Sequence, residues 1–551
     1  MTTEAIAPVA RREPSALPMP RMVRVARAPV NKWLVTVSVT FGTLMGAIDA
    51  SIVNVALTHI RGTVGATVEE ITWISTGFAI ATVLVMPLTA FLGRMFGQKR
   101  VYLFSLGLFL VGSCLCGLAR SLTSLVIFRA VQGFGAGALQ PTEQAILRQT
   151  FPPKEQGMAM ALFALAILIG PAIGPTLGGY IVDHYAWPWI FYINIPVGAL
   201  GFFMVTSFVH EPEDIREANR VAAEKQRKHM DWAGIALLST GLVALQYLLE
   251  EGSRNDWFDS RMITAAAVYA VVALAAFVIR ELTATVPAVD LSLFRDKVFL
   301  SGTLIGSVMF AMLMSITFLL PVFMQELLGF DATQSGLALM PRTLMMMLFI
   351  PLVGKLYNRI DPRISVLVGI LFLAFSTYMM GHYTLATTSA GVITALLVQG
   401  FGFSLIMVPL NTIALSSIPR HKMTDATGLN SLFRQIGGSF GLAIFATLLT
   451  RYGVQARASV GGHLSEANPL VQGRVALLQS GFMQRGLDAL SAKAAAVRVL
   501  SGIVAQQSMV LAFEKLFAVA GICFLAIVPL VYLLKNKSDG PMEKVDVHVE
   551  L

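Results

Sequence analysis

Long apolar runs separated by short polar turns dominate the chain, and the turns carry most of its charge. Each run is roughly 18–25 residues long, enough to cross a hydrocarbon core of about 30 Å as a helix. The pattern predicts fourteen spans, near 33–58, 70–92, 100–119, 122–147, 157–181, 189–209, 231–250, 262–281, 299–328, 335–356, 364–383, 391–416, 426–449 and 510–534. Two segments break the rhythm. Residues 210–230 are highly charged and predict a short surface helix after the sixth span. Residues 450–508 form a long excursion between the last two spans. There Leu487, Leu490, Ala494, Val497 and Val504 are spaced for one face of a helix. That helix is expected either to lie on the protein's own outer surface or to offer a surface to a periplasmic partner.

Composition sharpens this picture. Of 551 residues 55% are hydrophobic and 13% charged, with a mean hydropathy of +0.70. A soluble protein carries about a quarter charged residues, so lipid is the expected solvent. The formal net charge of +9 would suit nucleic acid, but the basic residues cluster in alternate short loops, which is the pattern of an orientation signal. Arg11, Arg12, Arg21, Arg24, Arg27 and Lys32 precede the first span and put the N-terminus in the cytoplasm. Fourteen spans return the C-terminus to the same side, where Lys535 and Lys537 close the last one. Residues Met1 to Val30 lack an apolar stretch before a small-residue cleavage site, and a tail is expected there rather than a cleaved leader. Cys114, Cys116 and Cys523 all fall in apolar spans, and all eight histidines fall in loops or at helix ends. Neither a disulfide framework nor a metal site is indicated.

Ionisable side chains within spans are costly and point to function. They are Asp49, Arg129, Glu143, Glu326, Arg342, Arg434 and the pair Glu514 and Lys515. Asp49 lies in AIDASIVNVAL, about 18 Å by helical rise from Arg61. On a helical wheel it shares a face with Ser38, Gly42, Met45, Val53 and Ala56, a small and polar stripe expected to line a cavity. A carboxylate held there is suited to load and release a proton; the alternative is a permanent ion pair that ties helices together. Arg129, in IFRAVQGFGAGAL, lies at a comparable depth and can approach Asp49. A guanidinium stays charged, so Arg129 can assist a proton carrier but not replace it. Gln140 and Glu143 follow on nearly the same face and extend a hydrophilic track. Asn54, Gln132 and Asn411, with Glu326, Arg342 and Arg434, complete the candidate translocation path.

The fifth span, ILIGPAIGPTLGGY, sets Gly170, Gly174 and Gly178 four residues apart, with Gly179 beside them. This bare stripe allows a neighbouring helix to approach closely. Pro171 and Pro175 remove backbone donors and are expected to bend the helix, as a gating element would require. The glycines of the fourth span follow no strand, and no GxxxxGK[ST] motif occurs, so ATP is excluded as the direct energy source. No cofactor is expected; an ion gradient, here the proton gradient, is the remaining drive.

Taken together, AIDASIVNVAL, IFRAVQGFGAGAL, ILIGPAIGPTLGGY and WPWIFYINIPVG (187–198) resemble the motifs of the EmrB-like (EmrB/QacA-type) fourteen-spanner drug:proton antiporters of the major facilitator superfamily, over about 33–535. The resemblance implies an all-α integral membrane protein with the major facilitator fold, two six-helix bundles plus two additional central helices. The corresponding segments are a cytoplasmic tail (1–32), an N-terminal bundle (33–209), a cytoplasmic linker (210–230), two additional helices (231–281), a C-terminal bundle (282–535) carrying the periplasmic loop 450–508, and a second cytoplasmic tail (536–551). It further implies proton coupling at Asp49 with help from Arg129, gating at Gly170–Gly179, multidrug efflux with antibiotic resistance, and residence in a bacterial inner membrane. Expected partners are an EmrA-like periplasmic membrane-fusion protein and a TolC-like outer-membrane channel. In one place the chain departs from the family. The loop after the second span usually carries an Asp where FLGRMFGQKRV has Arg94, while Gly97, Lys99 and Arg100 remain. The charge relay normally built on that Asp must be rebuilt from other residues.

Three other readings stay open at this level: an exporter or importer of one metabolite, lipid or organic acid on the same scaffold; a membrane receptor or scaffold; and a membrane enzyme. The third lacks a catalytic cluster. The second has no need of an interior Asp, an interior Arg and a Gly/Pro-rich helix. The methionines, 26 in all and including Met345, Met346 and Met347 beside Arg342, suit varied apolar ligands. With no acidic residue at the centre of the second span, neutral or weakly acidic hydrophobic compounds are expected over cations.

Overall fold

A computed structural model describes residues 31–534, apart from 229–230, 285–286 and 463–467. Among the described residues fourteen helices are long and apolar enough to cross a membrane, as the lengths of the apolar runs predict. They are α1 (Lys32–Val64), α2 (Trp73–Phe96), α3 (Gln98–Gly117), α4 (Leu122–Thr150), α5 (Gln156–His184), α6 (Asn194–Phe208), α7 (Trp232–Glu251), α8 (Arg261–Thr283), α9 (Lys297–Glu326), α10 (Ala332–Leu356), α11 (Pro362–Met380), α12 (Ser389–Ala414), α13 (Met423–Gly462) and α14 (Ala489–Ala526). Helix satisfies the backbone internally where no water can do so. The ends are capped by side chains: Asn31 starts α1, Ser121 and Ser124 form a reciprocal box at α4, and Asp331 and Gln334 form one at α10. Large apolar side chains that are open to the surroundings, such as Phe104 and Val271, form the lipid-facing belt.

The packing repeats. In the first half α1 packs on α5, and α2 and α3 on α4. In the second half α9 packs on α13, and α10 and α11 on α12. The seam obeys the same symmetry, since α2 meets α13 and α5 meets α10. This is the arrangement expected of two related six-helix bundles. Helices α7 and α8 pack on one another, and α7 also packs on α2 and α13, so the additional pair flanks the seam. Between the bundles the linker carries a helix, Glu213–Lys228, which packs against α2.

We call the face where α1 begins and α14 ends the terminal face, and the opposite one the loop face. The direct hydrogen bonds between the halves run from Gln140–Arg434 (2.9 Å) towards the terminal face. There Arg148 donates to the Thr412 carbonyl (3.1 Å), and Arg420 donates to the Gln149 carbonyl (2.6 Å). Gly157 of α5 and Gly354 of α10 sit so close that a Cβ on either would lie 2.9–3.0 Å from the other's carbonyl oxygen. The terminal face is therefore closed.

The 450–508 excursion differs from expectation. Instead of a helix lying on the protein's own surface, α13 and α14 run on beyond the bilayer, with a further helix, Pro469–Gln484, packed on α14. At 1.5 Å per residue a helix of 40 residues is about 60 Å long, twice the hydrocarbon thickness. Within this extension α14 buries Ala492, Ala496 and, of the predicted stripe, Val504, while Leu487, Leu490, Ala494 and Val497 are exposed. Towards the tip small residues form the packed face, because they let helices approach closely, which the apolar spacing alone does not reveal.

Candidate functional site

Asp49 and Arg129 meet. Arg129 of α4 donates from Nη1 to Asp49 Oδ2 at 2.5 Å. Gln132, one turn further along α4, donates to Asp49 Oδ1 at 2.8 Å and accepts from Arg129 at 2.7 Å. Asn194, the first residue of α6, donates to the same Oδ1 at 2.9 Å. Ser113 of α3 accepts from both Asn194 (3.0 Å) and Gln132 (3.2 Å), and donates to the Phe191 carbonyl at 2.9 Å. Asp49 is 0% exposed and Arg129 1%. The Phe78 ring stacks 4.1 Å from the guanidinium carbon, and Nε donates to the Ile74 carbonyl at 3.3 Å. Four helices thus close a buried polar network around one carboxylate. Such a network is stable only while every member is satisfied.

Two members of this network, Ser113 and Asn194, were not singled out by the sequence reading. The one signal for Asn194 was its place as a polar residue inside WPWIFYINIPVG. The predicted cavity-lining stripe of α1 also turns out differently. Ser38, Gly42, Met45, Val53 and Ala56 are all buried; Gly42 lies against Tyr102, and Met45 against Gly198. The stripe is a packing face, since small side chains serve close helix approach as well as they serve a water-lined wall.

The hydrophilic track along α4 divides. Arg129 and Gln132 face Asp49, whereas Gln140 crosses the seam to Arg434. Glu143 is fully buried; one oxygen accepts from Thr40 of α1 at 3.1 Å and the other has no hydrogen-bond donor among the described residues. In the second half Arg342 donates to Thr317 (3.2 Å) and Gln399 (3.4 Å). Asn411 donates to the Met407 carbonyl of its own helix. Asn54 is exposed and accepts from Ser75. Glu326 is exposed at the last residue of α9, away from the interior, because the helix ends there. Lys515 of α14 lies over Tyr452 near the loop face, and Glu514 lines the same pocket.

The glycine stripe of α5 packs on α1: a Cβ at Gly170 would strike Ala47, one at Gly174 would strike Ser51, and one at Gly178 would touch Ile52. Gly179 has open space. Pro171 and Pro175 lie within α5, and their side chains fall outside the described residues.

The loop after α2 answers the missing Asp. Arg94 pairs with Asp425 of α13 at 2.5 Å and donates to the Ala288 carbonyl at 2.9 Å, while Gln98 donates to Thr424 at 2.5 Å. The inter-half ion pair is present with its cation on α2. Gly97 takes φ +87°, open only to glycine without strain, and sits against Glu211, which accepts from the Lys99 N–H at 2.8 Å. Arg100 is exposed.

A sequence profile described as Major Facilitator Superfamily matches residues 39–442. The chain belongs to that superfamily. Among its relatives, the multidrug export protein EmrB of Haemophilus influenzae is 33% identical over 503 residues, covering 91% of this chain and 95% of the relative. The fatty acid resistance protein FarB of Neisseria gonorrhoeae is 32% identical over 501 residues, covering 91% and 96%. EmrB of Escherichia coli is 31% identical over 507 residues, covering 91% and 95%. These identities place the chain in the EmrB-like branch. The fold is shared with the proton:xylose symporter XylE (TM-score 0.58, 14% identity, 92% of this chain and 99% of that one). It is also shared with the human organic anion transporter MFSD10 (TM-score 0.57, 12% identity, 92% and 100%). Family and fold are those of transporters rather than enzymes.

Proposed function

We propose that this protein is a proton-driven exporter of small amphipathic compounds, in which Asp49 carries the proton and Arg129 holds the carboxylate while it is empty. The observation that carries the reading is the fully buried Asp49 with its guanidinium partner and three neutral supports. Arg129 is the opposite charge that touches this buried carboxylate, alongside the neutral donors Gln132 and Asn194, and a proton taken up by Asp49 releases the ion pair. Freeing Arg129 loosens the contacts among α1, α3, α4 and α6, which is the coupling an alternating-access antiporter needs. Membership in the EmrB-like branch supports multidrug efflux.

In this reading the terminal face is cytoplasmic and the membrane is a bacterial inner membrane. The basic residues ahead of α1 and the cluster Arg94, Lys99, Arg100, Lys154, Arg420 and Lys422 on that face support the orientation. The closed terminal face then corresponds to the stage at which substrate leaves outward. The helical extension beyond the loop face, with Leu470, Leu477 and Leu490 exposed, is the surface we assign to an EmrA-like membrane-fusion protein that leads to a TolC-like channel.

The direct test uses proteoliposomes of one orientation. Acidifying the side bathing the loop face should drive an amphipathic dye towards that side. A dye distribution insensitive to the proton gradient contradicts the proposal.

A further inference from the structure

Glu514 and Lys515 are an ionisable pair that neither the Asp49 network nor the seam uses. As sequence neighbours on α14 they point about 100° apart around the helix. Among the described residues neither enters an ion pair, and the Glu514 carboxylate accepts no hydrogen bond. The Lys515 ammonium lies 4.6 Å from the centre of the Tyr452 ring. Both side chains line a cleft of about 530 Å³ between α13 and α14, together with Gly381, Tyr452, Gln455 and Ser459. Glu514 is half-buried and Lys515 exposed.

The level of this cleft is fixed by three apolar runs that stop there. Helix α11 ends at Met380, just before Gly381. The thirteenth run ends near 449, just before Tyr452, and the fourteenth begins near 510, just before Glu514. This is the boundary between hydrocarbon and headgroups on the loop face. Gln455 and Ser459 lie outward of it on α13. In the other direction Lys515 is followed along one side of α14 by Ala518, Ile522 and Leu525, all exposed. The cleft thus has a charged and polar mouth above an apolar track. Gly453 of α13 lies against Met509 of α14 close by, so the cleft sits at the root of the helical extension.

A lysine at this level can reach any anionic headgroup by snorkelling. A carboxylate in the same cleft repels a purely anionic head and favours one that brings its own cation. No other charged group lines the cleft. We infer that it binds a phospholipid of the loop-face leaflet whose head carries both a phosphate and a primary ammonium. Lys515 pairs with the phosphate, Glu514 accepts from the ammonium, Gln455 and Ser459 form the polar rim, and an acyl chain follows Ala518, Ile522 and Leu525. A quaternary ammonium has the same charge but no N–H to donate, so an ethanolamine-type head is selected over a choline-type one. The site does not depend on the direction of transport or on proton coupling.

The test is lipid retention by the purified full chain, read by native mass spectrometry. The detergent contains equal amounts of phosphatidylethanolamine, phosphatidylcholine and phosphatidylglycerol with the same acyl chains. The ethanolamine lipid should be retained about tenfold over each of the others, the scale of one charge-assisted hydrogen bond. Glu514→Gln should remove the preference over the choline lipid, and Glu514→Asp should keep most of it. Lys515→Gln should lower the ethanolamine and choline lipids together by about that factor, because both lose the phosphate contact. Equal retention of the three heads by the unmodified chain overturns the inference; a cleft filled by a protein helix gives that result. A preference for the glycerol lipid overturns it in favour of a snorkelling lysine alone. An ethanolamine preference that survives Glu514→Gln also overturns it, since the lipid then sits elsewhere. Thermal midpoints in lipid-free detergent separate loss of the site from loss of the fold. Should Glu514→Gln fail to fold, Lys515→Gln and the head preference of the unmodified chain still decide.

Discussion

An aspartate in the middle of a bundle depends on every donor around it. Asp49 accepts from Arg129, Gln132 and Asn194, and Ser113 supports the last two. Removing the cation should strand a buried charge, so Arg129→Gln is expected to cost about 3–5 kcal/mol. The double variant Asp49→Asn/Arg129→Gln should recover much of the loss, because neither charge is then unpaired; thermal unfolding of the four members of the cycle measures this. Asn194→Ala should cost less, about 1–3 kcal/mol, since it removes one neutral donor. Asp49, Arg129 and Gln132 were legible in the sequence because ionisable and amide groups stand out in apolar spans. Asn194 and Ser113 were not, since a lone neutral polar residue in a helix is ordinarily satisfied by its own backbone. Their role became visible only when α3 and α6 were placed beside α1.

Helices α1 and α5 touch through glycine, and this contact makes a graded prediction. Gly170→Ala drives a methyl into the Ala47 backbone and should destabilise by about 1–3 kcal/mol, whereas Gly179→Ala, in open space, should be neutral. A comparable loss at both positions would remove the packing explanation. The Arg94–Asp425 pair joins α2 to α13 and makes a second prediction. Arg94→Asp or Asp425→Arg alone sets like charges together and should lower transport, and the double exchange should restore most of it. Export assays on the three variants decide. A third prediction concerns the additional pair of helices. Asp231 begins α7 and accepts from Arg280 of α8 at 2.7 Å and from the Gly234 N–H at 2.9 Å. Burial raises its carboxyl, but these bonds together hold it below the ordinary carboxylate range. The stabilisation is therefore present above about pH 4 and is lost as pH falls through the lowered value. Thermal midpoints between pH 7 and 3 should show this acid limb, and Asp231→Asn should flatten it. The spans themselves were legible because the length and apolarity of the runs fix them. The outward run of α13 and α14 was not, since charges such as Arg451 and Arg457 end an apolar run without ending a helix.

For the molecule as a whole, the seam is closed by side chains that also belong to each half's interior, from Gln140–Arg434 to Arg94–Asp425. Opening the terminal face must therefore break polar contacts, and something must compensate. In the proposed mechanism protonation of Asp49 supplies such a change in the first half. The symmetry of the two bundles was implied by the family resemblance. Which face is closed was not, because both conformations satisfy the same hydrophobic pattern and differ only in polar contacts across the seam. The most direct measurement of the central claim is substrate-driven proton movement in proteoliposomes containing the unmodified chain or Asp49→Asn, with folding and dye binding checked in parallel. The unmodified chain should move protons opposite to the dye, and Asp49→Asn should bind dye yet move no protons. Proton movement at the unmodified rate in Asp49→Asn would contradict the account.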